Sequence, residues 1–154
     1  MEDIWRQPWV VKWTQDLLDS YAHWLKEELI PRHGTSLEQA ERVFTCPFVV
    51  VSHGLQDDPI LNYGNRTALT LWEMDWDQLT HPPSRQTAEP VNREERARML
   101  DQAQTMGFLV DYRGVRISRS GRRFLVDRAT VWNVRNQDGT PLGQAATFST
   151  WTFL

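Results

Sequence analysis

Apolar positions recur at three- and four-residue steps from residue 8 to residue 30. Val10, Trp13, Leu17, Tyr21, Trp24 and Leu25 fall on one stripe, the periodicity of an amphipathic helix. Pro8 suits its first turn, and Pro31 followed by Gly34 ends it. Trp5, Trp9 and Trp13 add an aromatic row at four-residue spacing. Such a face packs either on the domain's own body or on a second chain, so Val10, Trp13, Leu17 and Trp24 are the candidate residues of a dimer or partner helix. A short helix follows over Ser36 to Val43, with Ser36 as cap and Gln39 completing a capping box. The period then changes. Pro47 opens the β-branched run FVVVSHG, a strand, and ILNY after Asp57-Asp58-Pro59 is a second. Gly64-Asn65 breaks that strand and Asn65 caps the helix RTALTLWEM.

A proline-rich loop, HPPSRQTAEPVNREER at 81–96, leads into a third helical pattern. Asn92 with Glu95 is a capping signal, and the helix runs from Arg93 to about Thr105 with Leu100, Ala103 and Met106 inward and Glu94 paired with Arg98 outward. From Gly107 the chain reads as strand. Phe108, Val110 and Tyr112 alternate on one parity and Val115 and Ile117 on the other, which places a bulge at Gly114. Ser120-Gly121 leads into FLVDRATVWNV and Asp138-Gly139 into LGQAATFSTW, both hairpin-type turns. Two strands, a group of helices and a three-strand meander make an α+β domain, with an antiparallel sheet and helices gathered on one face.

Composition narrows the function classes. The chain has 154 residues, 40% hydrophobic and 24% charged, enough for one domain with a real core. A net charge of −3 argues against a nucleic-acid partner, and the basic run Arg119 to Arg123 is read as a solvated strand end beside a turn. Cys46 is the sole cysteine, which leaves no intrachain disulfide and no multi-cysteine metal site; no two histidines stand at ligand spacing either. The opening MEDIWRQPW lacks a signal pattern and no apolar run approaches membrane-spanning length, so no membrane association and a cytoplasmic location are expected. Eight tryptophans are an excess, and each buried indole needs a partner for its N–H.

Six segments then carry a resemblance: PFVVVSHG (47–54), DPILNYGNRTAL (58–69), PSRQTAEPVNREER (83–96), GVRISRSGRRF (114–124), ATVWNV (129–134) and GQAATFSTW (143–151). In this order the chain resembles the PAS fold, and within it the MEKHLA domain family. The resemblance implies a five-stranded antiparallel sheet whose helices cover a pocket, with residues 1–45 as an N-terminal helical extension and 46–154 as the PAS-like domain. It also implies a sensory or pairing module. Family members occur alone in microbes and algae, or behind a homeodomain-zipper in plant transcription factors. This chain carries neither a homeodomain nor a basic zipper, so only the sensing or pairing part carries over.

Light-sensing flavin domains resemble the chain at DDPILNYGN and at the 81–96 loop. Aligned on Pro90, Ser84 falls on their photoreactive cysteine, Arg85 on their phosphate-facing arginine and Ala88 on their loop glutamine. Their ring-holding amides fall near Arg116, Val126 and Ala145. A serine hydroxyl at ordinary pKa is a poor nucleophile, and the ring's polar edge would be left unpaired, so flavin photochemistry is not expected. Haem would need a pocket histidine, for which His53 and His81 are the candidates; neither cofactor is expected. Ser84 with His81 or His53 and Glu89 names the parts of a hydrolytic triad without a nucleophile elbow, so no catalytic residue is assigned. A small ligand remains open. The candidate pocket comprises Tyr63, Asn65, Ser84, Arg85, Val126, Arg128, Trp132 and Ala145. Strand alternation places Val126, Arg128, Thr130 and Trp132 on one face, where Arg128 would meet either an anionic ligand or Glu89. The reading at this point is a non-enzymatic PAS-like module that signals as a homodimer or with another protein; the alternatives are a cofactor-binding sensor and a small enzyme.

Overall fold

In the computed structural model of the chain, residues 3–56, 60–81, 101 and 106–154 are described. Asp57, Asp58 and Pro59, the 82–100 stretch with Ser84, Arg85, Glu89 and the Asn92–Glu95 cap, and most of the helix expected over 93–105 lie outside them.

A turn of 3-10 helix at Ile4–Arg6 precedes α1 (Pro8–Leu25), with proline in its first turn. The helix ends five residues before the expected Ile30. Lys26 takes a left-handed conformation, φ 62°, and its N–H closes on the Ala22 carbonyl; the polar run Lys26-Glu27-Glu28 offers nothing to continue the apolar stripe. Helix α2 (Ser36–Thr45) is capped one residue earlier than expected. Thr35 Oγ1 accepts from the Glu38 N–H at 3.1 Å while Glu38 accepts from the Thr35 N–H at 2.9 Å. TSLE and SLEQ both spell a capping box, but a carboxylate is the better acceptor, and Gln39 is spent on the Arg32 and Gly34 carbonyls.

Strands β1 (Val49–His53) and β2 (Leu61–Gly64) are followed by α3 (Arg66–Trp72), capped by Asn65 as expected, and by α4 (Trp76–Thr80), whose Asp75–Gln78 capping box was not anticipated. The meander is β3 (Phe108–Ile117), β4 (Arg123–Arg135), β5 (Pro141–Phe148) and β6 (Thr150–Phe153). All neighbours are antiparallel, in the order β2-β1-β5-β4-β3, with β6 also on β4. Thr130 pairs with Thr147 and Asp127 with Thr150, a single register, so β5 and β6 are two halves of one strand interrupted at Ser149. The sheet is thus the expected five-strand arrangement with its last strand broken.

Two left-handed residues break the β3–β4 ladder, Asp111 (φ 58°) and Arg128 (φ 54°), one on each strand and either side of the Tyr112–Ala129 pair. Each strand contributes one extra residue and the register is restored beyond them. Gly114, where a bulge was expected, is itself paired with Val126; a Cβ there would lie 2.5 Å from the Tyr112 hydroxyl.

Both faces of the sheet are covered. Ala68, Leu71 and Trp72 of α3, with Leu79 of α4, pack on Val49, Val51, Phe124, Val126, Ala129 and Val131. On the opposite face α1 and α2 bring Val10, Leu17, Leu18, Val43 and Phe44 onto Val50, Trp132, Val134 and Ala145. The N-terminal helix expected beside the sheet therefore packs on the face that α3 leaves bare, and no helix among the described residues is long and apolar enough to cross a membrane.

Candidate functional site

The sheet face under α3 is the candidate sensing surface, and its centre is aromatic. The Trp72 ring meets Phe124 at 5.3 Å and Phe148 at 6.2 Å, both edge-on. Its indole N–H, buried, has no hydrogen-bond partner among the described residues. Tyr112, Val126, Ala129 and Val131 continue this surface along β3 and β4.

Of the expected pocket residues that are described, only Val126 lies there. The bulge at Arg128 inverts the alternation of β4, so Val126 and Trp132, of equal parity in the sequence, are on opposite faces. Trp132 and its cross-strand partner Ala145 face α1, and Trp132 donates its N–H to the Leu17 carbonyl at 3.1 Å. Arg128 itself is exposed at the bulge. Ser84 and Arg85 lie outside the described residues, so an Arg128–Glu89 pair is not placed either.

Tyr63 joins the α1-side cluster, its ring edge-on to Trp76 at 5.6 Å. Burial drives its phenol far above the usual range, and the hydroxyl has no partner among the described residues. Asn65 is fully buried and fully used. Its Oδ1 accepts from the N–H groups of Val50 and Ala68, each at 3.1 Å. Its Nδ2 donates to the carbonyls of Val43 at 3.0 Å and Phe48 at 2.8 Å, with Cys46 Sγ at 3.4 Å. An amide has two donors and two acceptor sites, and these contacts consume them, so Asn65 ties α2, β1 and α3 together and has nothing left for a ligand. Burial also raises the Cys46 thiol, which disfavours its nucleophilic thiolate form.

The four residues expected to form a pairing helix are committed within the chain. Val10 and Leu17 are 0% exposed. Trp13 donates to Ser52 Oγ at 2.8 Å and Trp24 to the Asn133 carbonyl at 2.9 Å. Three of the eight tryptophans are thereby accounted for: the indoles of Trp13, Trp24 and Trp132 each find a partner for the N–H where α1 meets the sheet.

Three sheet positions and two histidines are the described residues that bear on the two cofactors weighed from the sequence. Of the three positions that should hold a flavin ring, Ala145 faces α1, Val126 has no polar group, and Arg116 stacks over Tyr112 at 5.5 Å. As for haem, His53 Nδ1 lies 2.8 Å from the Gly54 carbonyl, and His81 is exposed with Nδ1 2.6 Å from the Asp77 carbonyl. No group of three or more His, Cys, Asp or Glu among the described residues could hold a metal.

Sequence reasoning missed a second concavity. Between α3 and β6 runs an open groove of about 510 Å³, lined by Arg66, Thr67, Thr70, Leu71, Glu73, Arg122, Trp151 and Phe153. The signal was Arg122, part of the basic run Arg119 to Arg123 set aside above as a solvated strand end.

Among solved structures the chain is similar to the PAS domain of a protein from Colwellia psychrerythraea, with a TM-score of 0.65, 12% identity and coverage of 76% of this chain and 94% of that one. It is also similar to a light-oxygen-voltage domain studied with a flavin analogue, with a TM-score of 0.59, 13% identity and coverage of 76% and 84%. An RNA-binding light-oxygen-voltage receptor aligns at a TM-score of 0.61 and 15% identity, over 78% of this chain and 33% of the receptor. At these identities the likeness is one of fold, and the fold is PAS-like. No curated protein sequence matches significantly. The family model described as MEKHLA domain matches residues 11–153, from within α1 to the end of β6, and the chain belongs to the MEKHLA domain family.

Proposed function

We propose that this chain is a non-enzymatic sensory and interaction module, in which β4 relays the state of the α3-side face to α1. The observation that carries this reading is the division of labour along β4. Ala129 and Val131 belong to the α3-side cluster, while Trp132 and Val134 belong to the α1-side cluster. Trp132 is bonded to α1 through the Leu17 carbonyl, and Ser20 Oγ and the Arg135 backbone are joined in both directions, with Ser20 Oγ donating to the carbonyl at 3.1 Å and accepting from the N–H at 2.9 Å. A close-packed strand cannot shift on one face alone, so a ligand that moves Ala129 or Val131 moves the supports of α1. The ligand class that suits this face is small and largely apolar, with one acceptor for the Trp72 N–H. The output is a change in how α1 and its surroundings meet a second copy or another protein.

The coupling is tested with Ala129→Leu, which pushes a larger side chain into the α3-side cluster. Amide hydrogen exchange should accelerate about tenfold over residues 14–24 of α1, the equivalent of ~1.4 kcal/mol of local stability. Faster exchange confined to β3, β4 and α3, with α1 unchanged, would sink the relay.

A further inference from the structure

The outer edge of β6 is an unfilled place in the sheet. Strand β1 begins at Val49, opposite Phe148, so among the described residues no strand runs beside 150–153 on the side away from β4. The ladder fixes which backbone groups face that side. Leu154 N–H donates to the Arg123 carbonyl, and Thr152 and Thr150 follow at alternate positions opposite Leu125 and Asp127. Trp151 and Phe153 are then the non-bonded pairs of the β4–β6 ladder, with N–H and C=O directed outward. Both residues line the groove beside α3.

The groove is also cationic and partly apolar. Arg66 lies over the Phe44 ring at 5.7 Å, and Arg122 over the Phe153 ring at 3.4 Å. Stacked in this way a guanidinium keeps its N–H edge free for a carboxylate. Neither arginine makes a salt bridge among the described residues. Among the described residues the groove has one acid, Glu73, whose Oε1 accepts from the hydroxyls of Ser118 and Ser120 and whose carboxyl also feels the Arg122 charge. Phe153 is 44% exposed, and Leu154 beyond it 60%.

We infer that this groove takes an extended acidic segment of a partner protein as an added strand on β6. The partner's backbone would pair with Trp151 and Phe153, its carboxylates would meet Arg66 and Arg122, and an apolar residue between them would cover Phe153. A second copy of this chain is the poorer occupant. Pairing β6 with itself about a two-fold axis brings the same arginines together, and like charges oppose that contact. The inference stands apart from the α1 relay, which needs nothing bound at β6.

The test uses a short fluorescein-labelled peptide alternating glutamate with valine, read by fluorescence anisotropy against the full chain. Saturable binding is expected, at least tenfold weaker when lysine replaces glutamate and when Arg66→Met and Arg122→Met are combined. Two N-methylated versions of the peptide, blocking alternate backbone amides, separate strand addition from simple charge attraction. One version should lose binding by tenfold or more and the other retain it. Absence of saturable binding up to about 1 mM, or equal binding of both N-methylated versions, overturns the inference. So does a doubled mass in light scattering without peptide that Phe153→Glu abolishes, which would assign the edge to a second copy.

Discussion

Replacing Asn65 by alanine removes a side chain that joins α2, β1 and α3. Four backbone groups lose a hydrogen bond: the N–H of Val50, the N–H of Ala68, and the carbonyls of Val43 and Phe48, the two carbonyls keeping the Cys46 thiol at 3.1 and 3.5 Å. The Val50 N–H, at a residue that is 0% exposed, has no access to water. A buried group left unpaired costs about 1–3 kcal/mol, and losing an N-cap costs about 1. The Ala68 N–H at the helix start can recover part of its loss from water, so Asn65→Ala should destabilise the fold by about 3–5 kcal/mol. Urea unfolding followed by tryptophan fluorescence measures it, with the midpoint shifting and the slope unchanged. Asn65→Asp sharpens the test. Its carboxylate keeps both acceptor contacts but sets a negative charge against the two carbonyls in a buried site, so the folded state favours the protonated acid and the folded pKa is raised. A raised pKa means that stability is fully present below the unfolded value, roughly 3.9, and is lost as pH rises through the folded one. The aspartate variant should therefore be nearer to wild type at pH 4 than at pH 7. A loss below about 1 kcal/mol for the alanine variant, or a pH-independent aspartate variant, would refute the hub that the hydrogen bonds describe.

Two further outcomes follow from local geometry. Gly107 sits at φ 89°, and a Cβ there would lie 2.4 Å from the Trp24 ring, which is held by its bond to the Asn133 carbonyl; Gly107→Ala should cost about 2–4 kcal/mol, read as a lower thermal midpoint. Glu73 Oε1 accepts from the hydroxyls of Ser118 and Ser120, and these bonds hold its carboxyl below the usual range. A depressed folded pKa gives stability that is present above the unfolded value, roughly 4.5, and lost as pH falls through the folded one, so Glu73→Gln should flatten the acid limb of the stability–pH profile.

The distance between what was legible and what was not follows the type of signal. Helix α3 and its Asn65 cap, both turns of the meander and the order of the strands were legible because each is written in local chemistry: an Asx cap, a glycine at positive φ, an alternating run. The end of α1 at Lys26 was less so, because apolar positions resume at Leu29 and Ile30 beyond the polar run and no glycine announces the left-handed turn at Lys26. The face of each β4 residue was hidden for a different reason. Alternation is a rule for an unbroken ladder, and one added residue inverts everything beyond it. Nothing in LVDRATVW marks Arg128 as that residue, since arginine has no preference for the left-handed region and glycine, which does, stands instead at 114 on the neighbouring strand.

The same inversion explains why the candidate pocket dispersed on folding while the sensor architecture survived. With a regular β4, Val126 and Trp132 would share a face, and the largest side chain of the strand would fill the space under α3. The two compensating bulges send Trp132 to α1 instead, and leave Val126, Ala129 and Val131 beneath Trp72. On the α3 side this stretch of β4 thus keeps small and β-branched side chains, and on the other side it gains an indole that reaches across to the Leu17 carbonyl. The bulge therefore decides both halves of the proposed relay: which residues a ligand could press, and which residue would carry the displacement to α1. Its cost is a non-glycine residue held at positive φ on each strand, about 1 kcal/mol or more for an arginine and less for an aspartate. Strain of that kind persists where the surrounding packing over-determines it, and here the packing is that of the two cores on either face of β4.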